Sequence, residues 1–152
     1  MDTVKAILAA KGSDVVSVGS GATVIQALEI MAERNIGAIL VKDAAGEIVG
    51  IFSERDFARK IIVKGRSCDG TTIGEIMTTK IVFASPGMSI EECMNLMTGH
   101  KFRHLPVKED GKVVGVISIG DVVKAMIQHK EKIISEQAFE IGQNERKSGG
   151  AV

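Results

Sequence analysis

The chain has no tryptophan and no tyrosine, and five phenylalanines are its only aromatic residues. A core must therefore be aliphatic, and base stacking on exposed rings has few candidates. Neither sign of charge is in surplus, since 19 Lys and Arg face 19 Asp and Glu. That argues against nucleic-acid binding, which rests on a basic excess, and leaves room for one small anion. The two cysteines, Cys68 and Cys93, are too few for a disulfide framework. Cys68 falls in an expected linker as a free surface thiol, and Cys93 on the apolar side of an expected helix. No window approaches the roughly 20 apolar residues of a membrane span. The start "MDTVKAILAAKG" lacks the basic residues and long apolar run of a signal peptide. These absences point to a cytoplasmic protein with no role on a membrane.

What is present is ordinary for a soluble globular chain: 45% apolar and 25% charged residues in 152. That length suits one compact domain or two small ones sharing a core. Glycine is frequent at 17, and is expected at turns and close backbone approaches.

The chain is an internal repeat. Val15 falls on Ile81 at an offset of 66, which carries Gly21 onto Gly87, Met31 onto Met97 and Val41 onto Val107. After the turn the offset is 65, which places Gly50 on Gly115, Ser53 on Ser118 and Asp56 on Asp121. The change falls between "DAAG" and "EDG", at a turn tip, where a length change disturbs little buried structure.

Each half predicts the same elements. "VVSV" (Val15 to Val18) and "IVFA" (Ile81 to Ala84) read as short strands. Thr23 with Gln26, and Ser89 with Glu92, have capping-box spacing. Val24, Ala27, Leu28 and Met31, and then Ile90, Cys93, Met94 and Met97, follow at helical spacing, with the methionines as core. A hairpin follows, then a helix opening on Ser-x-x-Asp. The fold class expected is α/β (α+β): two β-α-β-β-α repeats packed by a pseudo-twofold axis, because one such unit cannot bury both faces of its sheet. The expected division is 1–64, a linker at 65–71, 72–130, and a helical tail at 131–152 that frays from Asn144. Thr72 and Glu75 predict another capped, short helix, matched by the N-terminal "TVKAILAAKG". The tail helix, with Val122, Met126, Ile133, Ile134 and Phe139, reads as core cover or a dimer contact.

The Ser-x-x-Asp pairs allow two readings. Ser53 and Ser118 can simply cap helices whose dipoles favour Asp56 and Asp121. The same geometry also suits a nucleotide, because helix amides take a phosphate and a carboxylate takes both ribose hydroxyls. Both copies keep Gly, Ser and Asp in register, which favours the second reading.

"GIFSERD", "GVISIGD", "RHLPV" with its weaker echo "GAILV", and the "IGEIMT" helix together resemble a tandem pair of CBS (cystathionine β-synthase) domains over about residues 1–130. With "SERDFARK" and "IISEQ" the chain is similar to the stand-alone CBS-pair proteins. The resemblance implies a non-catalytic sensor that binds AMP, ADP, ATP, NAD(H) or S-adenosylmethionine and assembles as a homodimer or homotetramer. It implies two crevices between the halves. One would use Ile51, Ser53, Arg55 and Asp56, with Lys80, Ile81, Phe102 and Arg103 opposite. The other would use Val116, Ser118 and Asp121, with Asp14, Val15, Ile36 and Gly37 opposite. The first has Arg55 and Arg103 to meet phosphate. The second has Gly120 and Gly37 there, so its cations would have to reach across from Lys101, Arg103 or His104. The first is expected to bind a phosphorylated adenosine more tightly.

His100 and His104 have a metal spacing for a helix, but the helix is expected to end near Gly99, so the rings would not share a face. Glu54 and Arg55 could be a solvated pair. No Ser-His-Asp or Cys-His constellation is present to support an enzyme. The alternative to a sensor is an interaction protein with empty crevices that assembles through its tail helix.

Overall fold

The computed structural model describes residues 3–149, with side chains described to residue 142. The elements run α1 (Val4–Lys11), β1 (Ser17–Gly19), α2 (Val24–Arg34), β2 (Ala38–Lys42) and β3 (Ile48–Ser53). A short α3 (Glu54–Asp56) continues as a π-helical turn over Phe57–Ile62. Then come α4 (Ile73–Ile76), α5 (Ile90–His100), β4 (His104–Glu109), β5 (Lys112–Ser118) and α6 (Ile119–Gly149). The first half carries a three-stranded sheet in the order β1-β2-β3, with β1 parallel and β3 antiparallel to β2. The second half carries the antiparallel β4-β5 pair. This is the mixed fold of two equivalent halves with a helical extension that the repeat predicts.

The strand expected at Ile81–Ala84 is reduced to one parallel bridge, Ala84 to Val107. The chain's two prolines account for this. In the first half, Leu40 N–H donates to Val16 O (3.3 Å) and Ser20 N–H to Lys42 O (2.9 Å). The offset of 66 puts Pro106 at the place of Leu40 and Pro86 at the place of Ser20. Neither has an N–H, so both flanking ladder bonds are lost. The central bonds remain, from Ala84 N–H to Pro106 O and from Lys108 N–H to Ala84 O, each 2.9 Å.

The helix starts follow the capping spacing. Gln26 N–H donates to Thr23 Oγ1 (3.3 Å) and Thr23 N–H to Gln26 Oε1 (2.9 Å). At α5, Glu92 N–H donates to Ser89 Oγ (3.1 Å) without the reciprocal bond. Glu75 accepts from both the amide and the hydroxyl of Thr72.

The two pre-repeat helices exchange places. Val4, Ile7 and Leu8 of α1 lie in the core of the second half, with Cys93, Met97, Leu105 and Ile117. Ile73 and Ile76 of α4 lie in the core of the first, with Val24, Met31, Ile39 and Phe52. The backbone repeats the arrangement: Val4 N–H donates to Met88 O (2.9 Å) and Ile73 N–H to Ala22 O (2.8 Å).

The exchange explains the glycine of each repeated stretch. A Cβ on Gly115 would lie 2.7 Å from Leu8 Cδ2, and one on Gly50 would lie against Met77 Sδ. These glycines admit the side chain of the exchanged helix.

Cys93 is fully buried, while Cys68, expected at the surface, is half-buried against the first core. The segment around it is pinned, since Ile25 N–H donates to Cys68 O and Val24 N–H to Thr71 O. Fraying was expected from Asn144, yet α6 continues to Gly149. No proline follows Pro106, and Gly142, the lone glycine of the tail before the Gly149-Gly150 pair, costs only about 1 kcal/mol. Residues 150–152 lie outside the described residues.

Candidate functional site

Two cavities open where the halves meet. Cavity one, of about 570 Å³, gathers Ile51, Ser53, Arg55 and Asp56 from the first half, and Lys80, Ile81, Phe102 and Arg103 from the second. All eight residues expected in the first crevice therefore line one space. Cavity two, of about 450 Å³, gathers Asp14, Ile36, Gly37, Val116, Ser118 and Asp121. Val15 is the exception. It is 36% exposed and does not line the cavity, whereas the next residue, Val16, does. Successive residues of an extended segment point to opposite sides.

Both Ser-x-x-Asp pairs are helix caps and also cavity walls. Asp56 N–H donates to Ser53 Oγ (3.2 Å), while Ser53 N–H and Oγ donate to Asp56 Oδ2 (3.0 and 3.2 Å). Asp121 N–H donates to Ser118 Oγ (3.1 Å) and Ser118 N–H to Asp121 Oδ2 (2.8 Å). The helix amides expected to take a phosphate are partly committed. Glu54 N–H donates to Gly37 O (3.0 Å), and its counterpart Ile119 N–H to Arg103 O (2.8 Å). With the Asp56 and Asp121 amides also engaged, a phosphate must be met chiefly by side chains.

Cavity one supplies them. Arg55, Arg59, Lys80, Lys101 and Arg103 line it against Glu54 and Asp56. None of these five is in an ion pair among the described residues. Arg55 spans the halves with a 3.4 Å bond to Lys101 O. Asp56, 12% exposed, is held by Lys60 (3.0 Å) and by the Thr78 hydroxyl (3.1 Å) at Oδ1. Lys60 does not line the cavity, so it neutralises Asp56 from behind. The ring of Phe102 stacks on His100 at 5.7 Å between centroids.

The second crevice was expected to lack cations of its own, and here the structure differs. Lys11 and Arg34 line it, and of the three groups expected to reach across only His104 does. Lys11 donates to Asp121 Oδ2 at 2.6 Å and to Val116 O at 2.9 Å. Burial alone would raise the Asp121 carboxyl. The Lys11 ammonium and the Ser118 bonds outweigh it and hold the carboxyl below its usual value. His104 lines both cavities, and burial, helped by the Lys11 charge, holds its imidazole below the usual value. The sequence missed Lys11 because its position follows from α1 packing on β5, a contact across most of the chain. Its one local signal was a lysine just before the Gly12 cap of α1. Arg59 and Thr78 were missed as well, and Lys101, expected to reach into the second crevice, lines the first.

This pair of crevices, each walled by both halves of an internal repeat, defines a paired-repeat module. The CBS-domain family model matches residues 4–63 and 73–128, and the chain belongs to that family. It is 40% identical over 122 residues to the mitochondrial CBS domain-containing protein CBSX3 of Arabidopsis thaliana, and spans 59% of that protein's length. It is 34% identical over 111 residues to the CBS domain-containing protein YhcV of Bacillus subtilis, covering 72% of this chain and 77% of that one. A solved CBS-domain structure from Burkholderia ambifaria MC40-6 superposes with a TM-score of 0.80 at 47% identity, covering 84% of this chain and 95% of that one. The chain thus carries a tandem pair of CBS domains. No helix among the described residues is long and apolar enough to cross a membrane.

Proposed function

We propose that the chain is a non-catalytic sensor of adenosine nucleotides and that cavity one is its principal site. The observation that carries this is the cation surplus facing Asp56. In this reading Asp56 accepts the ribose hydroxyls, Ile51 and Ile81 flank the base, and Arg55, Arg59, Lys80 and Arg103 meet phosphate. Guanidinium groups suit phosphate because they pair bidentately. AMP is the first ligand to test, with ADP, ATP, NAD(H) and S-adenosylmethionine as alternatives. The surplus favours the ligands with more phosphate. Binding between the halves would change their packing by as much as the ligand's affinity differs between two arrangements.

Self-association belongs to the same proposal. Ile127, Ile134, Phe139 and Ile141 of α6 are all more than half exposed, an apolar surface that suits a homodimer or homotetramer. A division at 1–64, 65–71, 72–130 and 131–152, and a cytoplasmic setting, complete it. One plant relative is described as mitochondrial.

Calorimetric titration of each ligand into the purified chain, and into Asp56→Asn, tests the reading. Saturable binding that is lost in the variant is expected. No heat with any of them at millimolar concentration would leave an interaction protein that assembles through α6.

A further inference from the structure

The two acidic residues are neutralised from opposite sides. Asp56 has Lys60 behind it, outside cavity one. Asp121 has Lys11 in front of it, inside cavity two. The cause is a difference in helix length. In the first half α4 stops at Ile76, and the chain then bridges β3: Thr78 N–H donates to Ile51 O and Ile51 N–H to Thr78 O, each 2.9 Å. In the second half α1 continues through Lys11, and no such bridge forms to Val116 among the described residues. Val116 O, the counterpart of Ile51 O, takes the Lys11 ammonium instead of a backbone amide. One ammonium thus caps a strand carbonyl and pairs with one carboxylate oxygen, Oδ2. It also balances the cavity, where Lys11 and Arg34 face Asp14 and Asp121.

We infer that Lys11 is an internal occupant of cavity two, a specificity-determining residue that restricts the chain to one nucleotide, bound in cavity one. A ribose reaches Asp121 Oδ2 only by displacing an ammonium that already holds two oxygens. The inference rests on the nucleotide reading of cavity one, and it adds that the second site is built but closed. Removing the ammonium opens it.

The test is binding stoichiometry, by calorimetry with AMP and with ADP. The proteins are the wild type, Asp56→Asn, Lys11→Met, and the Asp56→Asn/Lys11→Met double variant. Met keeps the apolar stem of Lys11, and Lys11→Gln serves as a second substitution should the first melt early. One site in the wild type, none in Asp56→Asn, two in Lys11→Met and one in the double variant is the expected pattern. The last site must disappear again with Asp121→Asn. Two sites in the wild type overturn the role of Lys11 and leave the nucleotide reading standing. So does a double variant that melts cooperatively and binds nothing with either substitution at Lys11. No binding to the wild type, with one Asp121-dependent site in Lys11→Met, supports the closure and removes cavity one as a nucleotide site. No binding to any of them overturns both.

Discussion

Lys11 Nζ lies 2.6 Å from Asp121 Oδ2, although 110 residues separate them in the chain. The bridge ties the N-terminal helix to the last helix across the second Ser-x-x-Asp element. Its energy as an ion pair is modest, because Lys11 is 39% exposed and solvent screens it. Its consequence is electrostatic. The ammonium lowers the proton affinity of both Asp121 and the neighbouring His104.

That sets the acid limb of stability. His104 faces Lys11, Asp121, Glu54 and Arg103, and its folded pKa is depressed by burial first and then by Lys11. Its contribution is complete above the unfolded value of about 6.5 and is lost as pH falls through the lowered native value. Asp121, also depressed, contributes fully above its unfolded value of about 3.9 and loses that contribution at still lower pH. The melting temperature is therefore expected to fall in two stages on acidification from pH 7, and His104→Gln is expected to remove the first. NMR titration of His104 in Lys11→Met is expected to give a higher pKa than in the wild type. An unchanged value would contradict the coupling.

Lys101 trades stability for charge at the site. It caps α5 in the left-handed region at φ 58°, where its repeat counterpart Asn35 has φ 54°. Asparagine adopts that conformation at less cost than lysine. Lys101→Asn is expected to stabilise the fold by about 0.5–1 kcal/mol while weakening the affinity of cavity one for ADP. Chemical denaturation beside calorimetry checks both. A loss of stability, or unchanged affinity, would count against this account of Lys101.

Gly115→Ala is expected to destabilise by about 1–3 kcal/mol through overpacking, because the new methyl meets Leu8 at 2.7 Å. Combining it with Leu8→Ala should cost less than the two single changes added together, since they share one contact. Urea melts of the four proteins measure the difference, and strict additivity would contradict the packing.

The thiols should differ in reactivity. Burial pushes the Cys93 thiol up to about 11, and the side chain is fully enclosed. Cys68 is half-buried. Native protein is expected to give one equivalent of fast reaction with a disulfide reagent, mapped by mass spectrometry to Cys68. Cys93 should react only on unfolding.

The repeat, its capped helices and its hairpins were legible because they rest on short-range rules, the 3.6 and 2.0 periodicities and the Thr-x-x-Gln spacing. The lost strand at Ile81–Ala84 was within reach. Pro86 and Pro106 occupy the counterparts of Ser20 and Leu40, whose amides make the flanking bonds of the β1–β2 ladder, but seeing that requires the ladder of the first half as a template. The residues expected to wall cavity one followed from the resemblance to CBS-domain pairs, and the internal repeat alone singled out only its Ser53 and Asp56. The cations of cavity two were not. Lys11 arrives there because α1 packs on β5 beside Gly115, and no local pattern shows which half a terminal helix joins. The glycines of the repeated stretches, read as part of a ligand motif, are explained by that same exchange of helices.

The measurement that bears most directly on the central claim is the melting temperature with saturating AMP and ADP, in the wild type and in Asp56→Asn. At one hundred times Kd a ligand adds about 2.7 kcal/mol, which for a chain of this size is a rise of about 5–10 °C. The account predicts that rise in the wild type, larger for ADP than for AMP at equal concentration, and its absence in Asp56→Asn. An equal rise in both proteins would contradict it, because the nucleotide would then be bound somewhere other than between the halves at Asp56.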